Sequence, residues 1–147
     1  MRKSNIITIT CCLILILSGC GKDAPEHQIV IPEGEVIKIP VKDVNDFGVH
    51  FYTYKYEGEN INFFTRSDGE GRLHTHFDAC YSCYKYKKGF RVEGSELRCI
   101  ACNLTYDLDE AAWDFIGPCS PIPLKSKVTG GVITIKLEVI QRGKKLF

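Results

Sequence analysis

The sequence predicts a mainly β, β-rich α+β fold: a small antiparallel β domain with an inserted four-cysteine ribbon and one short helix. Three observations predict it. Apolar and polar residues alternate over much of the segment 29–77 and again over 132–139, the period of half-buried strands. Turn signals, Pro32-Glu33-Gly34, Glu57-Gly58, Asp68-Gly69 and Gly130-Gly131, punctuate these runs at strand-length intervals. Two Cys-x-x-Cys pairs, Cys80–Cys83 and Cys99–Cys102, flank a short polar segment with a spacing that the zinc-ribbon pattern allows.

The chain has 147 residues and a formal net charge of +1. Its start, residues 1–19, has the layout of a signal peptide: Arg2 and Lys3, an apolar run from Ile6 to Leu17, then Leu17-Ser18-Gly19-Cys20. The run is short of the roughly 20 apolar residues that a membrane span needs, so cleavage is expected in preference to an uncleaved anchor. Its end resembles a bacterial lipobox, which makes Cys20 the expected acylated first residue of the mature chain, held on a membrane by its acyl chains. Cys11 and Cys12 would leave with the signal. Losing Arg2 and Lys3 turns the net charge from +1 to −1. That balance argues against nucleic acid as a partner, because phosphate binding needs a basic surface.

Residues 20–28 read as a polar, lipidated tether containing Pro25, and 29–147 as a single domain. Ile29 to Ile31 and Val36 to Val41 are short branched runs joined by a turn at Pro32-Glu33-Gly34; Glu33 and Glu35 read as surface. Phe47 to Tyr56 alternates, with Val49, Phe51 and Thr53 on one face and His50, Tyr52, Tyr54 and Tyr56 on the other; the tyrosine stripe reads as cross-strand packing. A hairpin turn is expected over Glu57–Asn60, a strand through Ile61, Phe63 and Thr65, a turn over Ser67–Gly71, and a strand from Arg72 to Phe77 that runs into Cys80. Lys85, Lys87 and Lys88 read as a solvated hairpin edge. Phe90 to Leu97 reads as a tight hairpin with Gly94-Ser95 at its middle. Asp107 to Phe115 is the helix candidate, capped by Asp107, supported by Glu110 and stopped by Gly117-Pro118, with Trp113 and Phe115 as core residues. The final strand is expected to place Ile133, Ile135, Leu137 and Val139 on one face.

The candidate chemistry lies in the ribbon, residues 78–119. Four thiolates in two close pairs suit one tetrahedral ion. With Cys20 acylated, five cysteines remain: Cys80, Cys83, Cys99, Cys102 and Cys119. Five cannot all pair as disulfides, whereas a four-cysteine metal site plus one thiol, or a site that Cys119 joins, accounts for every sulfur. A redox Cys-x-x-Cys is the competing reading, but it expects a helix N-terminus in an α/β pattern, and the flanking sequence is strand-like. On β spacing, His74, His76, Asp78 and Cys80 share one face. They either line a surface leading to the thiolates, with His76 and Asp78 as further ligands or Asp78 as an acceptor fixing the knuckle backbone, or form a solvent-facing polar stripe. No phosphate loop, nucleophile elbow or Ser/His/Asp arrangement is present. The chain therefore reads as a metal-binding or electron-transfer protein in preference to an enzyme.

The stretch from about Asp68 to Thr134 resembles the FtrD-like family, described as membrane iron–sulfur-containing proteins. The resemblance rests on Asp68-Gly69, Arg72, Phe77-Asp78-Ala79-Cys80 with Cys83, Lys88-Gly89-Phe90, Glu93-Gly94, Cys99 with Cys102, and Cys119-Ser120-Pro121-Ile122-Pro123-Leu124. It implies one metal centre on Cys80, Cys83, Cys99 and Cys102, with Cys119 a nearby fifth, in an exported domain associated with ferrous-iron uptake and its redox steps. Iron or iron–sulfur is what the resemblance suggests for the metal; zinc is the main alternative. Partners would be the membrane, through the lipid, and iron-permease or redox membrane components. Asn103 stands where the family commonly has glycine, and Asn tolerates the left-handed backbone needed there. Arg2-Lys3 is not a twin arginine, so an unfolded chain would be exported and the centre loaded outside.

Three functions follow as expectations: a lipoprotein of the bacterial envelope that handles iron or electrons, a binding protein with a purely structural zinc site, and a thiol–disulfide protein.

Overall fold

The computed structural model describes residues 24–110 and 119–147. Eleven strands follow in order: β1 (Gln28–Val30), β2 (Val36–Pro40), β3 (Val49–Tyr56), β4 (Glu59–Ser67), β5 (Leu73–Cys80), β6 (Phe90–Glu93), β7 (Glu96–Cys99), β8 (Thr105–Asp107), β9 (Pro121–Pro123), β10 (Lys127–Thr129) and β11 (Val132–Lys136). One short helix, α1 (Leu137–Gln141), and a 3-10 turn over Arg142–Leu146 close the chain. Among the described residues the fold is mainly β with one short helix, the fold class that the sequence predicts.

The strands form three sheets. The central one has the order β1-β3-β4-β5-β9 and is antiparallel except where β1 runs parallel to β3. β3 and β4 join through Glu57-Gly58, both at positive φ (48° and 83°). That is the backbone of a type I′ turn, whose twist matches the flanking strands. A second sheet, β10-β11-β2, and a third, β6-β7-β8, are each antiparallel.

The central sheet is buried on both faces. Tyr52, Tyr54, Ile61, Phe63, Phe77 and Ala79 meet Ile37, Ile39, Ile133 and Ile135 of the second sheet, together with Ile140 and Leu146. Phe51, Phe64 and Cys80 meet Phe90, Leu97 and Cys99 of the third sheet, together with Tyr106 and Leu108. Tyr52 stacks on its cross-strand partner Phe63 at 5.2 Å, as the tyrosine stripe predicts. Two-sided burial corrects one expectation: the face of β5 carrying His76 and Asp78 is covered by the cysteine ribbon, not by solvent.

The ends of elements differ from expectation for identifiable reasons. β11 stops at Lys136, which pairs with Val36, the first residue of β2. With no strand beyond it, the chain coils into α1. Leu137 and Ile140 lie three apart, the spacing of one helical face, and Ile140 is fully buried. Asp107 closes β8, and residues 108–110 form a turn instead of opening a helix. The rest of that candidate, with Trp113 and Phe115, lies outside the described residues. Lys85 sits in a 3-10 turn, Tyr84–Tyr86, after the first cysteine pair, so this basic cluster belongs to a turn and not to a hairpin edge. Glu33 and Glu35 are exposed.

Candidate metal centre

Three chain segments converge on the thiols. β5 ends at Cys80, and the chain bends so that the Cys83 backbone N–H donates to Cys80 Sγ at 2.9 Å. β7 ends at Cys99, and the bend over residues 100–102 returns through Asn103, whose φ of 62° is left-handed. The Asn103 N–H donates to the Cys99 carbonyl, and the Cys99 N–H to the Leu104 carbonyl, each at 2.9 Å. The β6–β7 hairpin turns at Gly94-Ser95 with Gly94 at φ +63° and sets Phe90 opposite Cys99, carrying the second pair back to the first. The third segment is the start of β9. Pro121 pairs with Cys80, the Tyr81 N–H donates to the Ser120 carbonyl, and the Tyr106 hydroxyl donates to the Cys119 carbonyl.

All five thiols are free. Cys80 and Cys99 are buried, and their sulfurs lie 4.0 Å apart, about twice a disulfide bond length. Cys80, Cys83 and Cys119 lie within 4.8 Å of one another, as do Cys83, Cys99 and Cys102. Cys83 belongs to both groups. A tetrahedral thiolate ion needs sulfurs about 3.8 Å apart, given metal–sulfur bonds near 2.3 Å. These sulfurs stand close to that spacing, and the donor set is soft, as zinc and iron prefer.

Burial opposes ionisation here. It raises Cys99 to about 11 against backbone N–H groups of Cys102 and Ala101 that favour the thiolate. Burial first, then the neighbouring thiols, push Cys83 up as well. Cys119 is likewise raised by burial and by Cys102. At Cys102 burial acts in the same sense but is outweighed by the Leu104 N–H and by hydrogen bonds from Cys99, Cys119 and Cys83, so this thiol lies below its ordinary value. Among Cys83, Cys99, Cys102 and Cys119, Cys102 is the one shifted toward the thiolate. A bound cation would reverse the penalty at the others.

His74, His76 and Asp78 share the face of β5 with Cys80, as the spacing predicts, but among the described residues the close groups of potential ligands contain cysteines alone. Each of the three is engaged elsewhere. His74 Nε2 lies 2.9 Å from Asp68 Oδ2. Asp68 is 1 % exposed and also accepts from the Glu70 and Arg72 backbones and from Arg72 Nε. His76 stacks on Phe64 at 5.3 Å, and burial, then the charges of Arg66 and His74, lower it to about 3, a neutral imidazole. Asp78 Oδ1 accepts the Phe90 N–H at 2.7 Å, and Oδ2 lies 2.9 Å from His27 Nε2. Burial raises its pKa, while the His27 bond opposes the rise. Asp78 therefore holds backbone beside the thiols, the second of the two roles its position suggests.

Sequence reasoning missed His27, Gly89 and Tyr106 as parts of this site. His27, at the end of the expected tether, reaches Asp78 across 51 positions and packs edge-on against Phe51 at 5.4 Å; no local pattern signals it. Gly89 has φ +64°, and a Cβ there would stand 2.5 Å from Asp78 Oδ2, so only glycine fits. Its place in Lys88-Gly89-Phe90 was the available signal. Cys20 lies outside the described residues.

A family model described as "Membrane iron-sulfur containing protein FtrD-like" matches residues 44–147. The match takes in all five clustered cysteines and reaches further toward the N-terminus than the motifs from Asp68 onward. No curated protein and no solved structure matches the chain.

Proposed function

The chain belongs to the FtrD-like family of membrane iron-sulfur containing proteins, and we propose that it is a lipid-anchored, extracytoplasmic protein of the bacterial envelope whose cysteine centre holds iron and serves ferrous-iron uptake or the electron transfer tied to it. The observation that carries this reading is the convergence of thiols from three segments around Cys83. Cys80, Cys83, Cys99 and Cys102 would hold the metal, with Cys119 placed to replace or join one of them. Bound iron would supply one-electron chemistry.

The chain's own residues prepare the site. The Cys83 N–H donates to Cys80 Sγ, which fixes the first cysteine bend. Asp78 fixes the backbone leading into β6, and the cores around Cys80 and Cys99 exclude water from the inner side. The close sulfur spacing suits a single ion better than a cluster, whose separate irons need the sulfurs spread further apart. A single iron ion can also load after export, with no cluster to assemble outside.

Anchoring rests on Cys20. No helix among the described residues is long and apolar enough to cross a membrane, so a lipid is the attachment this reading needs. Seven residues from Cys20 to His27 span at most about 25 Å. His27 is bonded to Asp78, two residues from Cys80, so such an anchor keeps the thiols close to the bilayer and to membrane components such as an iron permease or a redox protein.

A second reading is favoured by the same spacing: one zinc ion in a closed four-thiolate site, structural and without redox chemistry. Elemental analysis and a visible spectrum of anaerobically purified protein separate the two. One iron per chain with thiolate-to-iron colour supports the first. A colourless protein with one zinc supports the second. Metal-free protein whose mass shows two disulfides overturns both in favour of thiol–disulfide exchange.

A further inference from the structure

We propose that the cleft between the first cysteine bend and the C-terminal 3-10 turn is a binding site for a small aromatic anion, an aromatic carboxylate, sulfonate or phosphate ester. The cleft has a volume of about 490 Å³, within the range of small-molecule sites. Phe77, Ile122 and Leu146 give it an apolar floor, and Tyr81 and Tyr84 stand over it. These tyrosines are 55 % and 40 % exposed, a large aromatic surface left to solvent.

Two cations complete the lining, Arg142 and Lys145. Among the described residues neither belongs to an ion pair. Lys144, between them in sequence, does: its Nζ lies 2.6 Å from Glu57 Oε2. The two charges that face the cleft are therefore those left without a carboxylate. Arginine and lysine beside aromatic rings recognise a flat anion twice over, by charge and by stacking. No carboxylate lines the cleft, so its charged lining is wholly cationic and favours an anionic ligand.

The cleft is built into the fold. Gly143 lies against the ring of Phe77, which a Cβ would strike. The bare backbone at this point lets the turn approach the central sheet and places Arg142 and Lys145 on either side of Gly143. Tyr81 and Tyr84 directly follow Cys80 and Cys83, so a ligand stacked on them would sit one residue from two of the clustered thiols. The proposal rests on the cleft alone and survives whichever metal the thiols hold.

The test is fluorescence titration of the purified protein with 8-anilinonaphthalene-1-sulfonate and with its uncharged counterpart, N-phenyl-1-naphthylamine. The sulfonate is expected to bind saturably, one per chain, and the uncharged dye at least tenfold more weakly. The double variant R142Q/K145Q is expected to raise the sulfonate Kd at least tenfold, and Tyr84→Ala to weaken it as well, both with unchanged circular dichroism and Tm. Inorganic phosphate at the same concentration should not displace the dye. Equal affinity for the two dyes, binding without saturation, or an unchanged Kd in the double variant would overturn the proposal. So would displacement by phosphate alone, or sulfonate-independent binding to phosphatidylglycerol vesicles lost in the same variant, which would assign the cations to a membrane surface.

Discussion

Cys83 and His76 behave in opposite ways beside the ribbon: the first gathers thiols around it and the second stays a neutral imidazole. Cys83 is shared by both close groups of thiols, and Cys99 is the buried member of the second. Cys99→Ser should abolish stoichiometric metal retention, because a hydroxyl is a hard and weakly acidic donor. Cys119→Ser should keep most of the metal, since four thiols remain. Elemental analysis of the two variants checks both expectations, and full occupancy in Cys99→Ser would refute the ligand set. His76 has the opposite character: it stays neutral because burial lowers its pKa to about 3. The unfolded chain, with an imidazole pKa near 6.5, binds more protons between those values, so stability falls as pH drops from about 6.5 to 3 and the contribution is complete only above 6.5. Each unit is worth about 1.4 kcal/mol, which puts the loss at a few kcal/mol. Urea unfolding across that range should show the slope, and His76→Gln should flatten it.

The bends that carry the cysteines were legible where backbone chemistry is local. Asn103 takes the left-handed position expected of it, and the Gly94-Ser95 turn closes the β6–β7 hairpin. The alternation along β5 placed His74, His76, Asp78 and Cys80 on one face, but alternation reports which residues share a face and not what covers it. The third sheet covers that face, and its strands are only three or four residues long. The same limit explains β11, whose alternation continues through Val139 although its pairing partner ends. Gly89 shows what a short element demands. Alanine there would meet the Asp78 carboxylate at 2.5 Å and would hold a left-handed φ, which alone costs about 1–2 kcal/mol. Gly89→Ala should displace the Asp78–Phe90 bond, lower Tm by several degrees and reduce metal retention. Asp78→Asn keeps the volume and leaves Gly89 intact. It should therefore weaken metal retention with a smaller loss of Tm, and equal Tm losses in the two variants would mean that the close approach at Gly89 is not the cause.

At the scale of the whole molecule the two faces of the central sheet differ in how much they can hold without help. One side packs fourteen buried residues drawn from the central and second sheets, the C-terminal helix and the loops between them. Among the described residues the other packs eight, two of them cysteines and three more, Phe90, Leu97 and Tyr106, on the short strands of the ribbon. Buried apolar area contributes about 25 cal/mol per Å², so the first core is the larger source of stability. The ribbon depends more on whatever ties its thiols together. An ion that binds the folded ribbon and not the unfolded chain stabilises it by RT ln(1 + [L]/Kd), about 4 kcal/mol at a thousandfold excess over Kd. Chelation should then loosen the molecule unevenly. Amide exchange should speed up over residues 80–107, while β2, β11 and the Tyr52–Phe63 pair keep their protection. Thermal unfolding of the metal-free protein should separate into two transitions, of which added metal moves only the lower. A single cooperative transition that shifts as a whole would mean that Phe51 and Phe64, which face the ribbon from the central sheet, couple the two cores too tightly for either to open alone. In that case metal occupancy would set the stability of the entire chain.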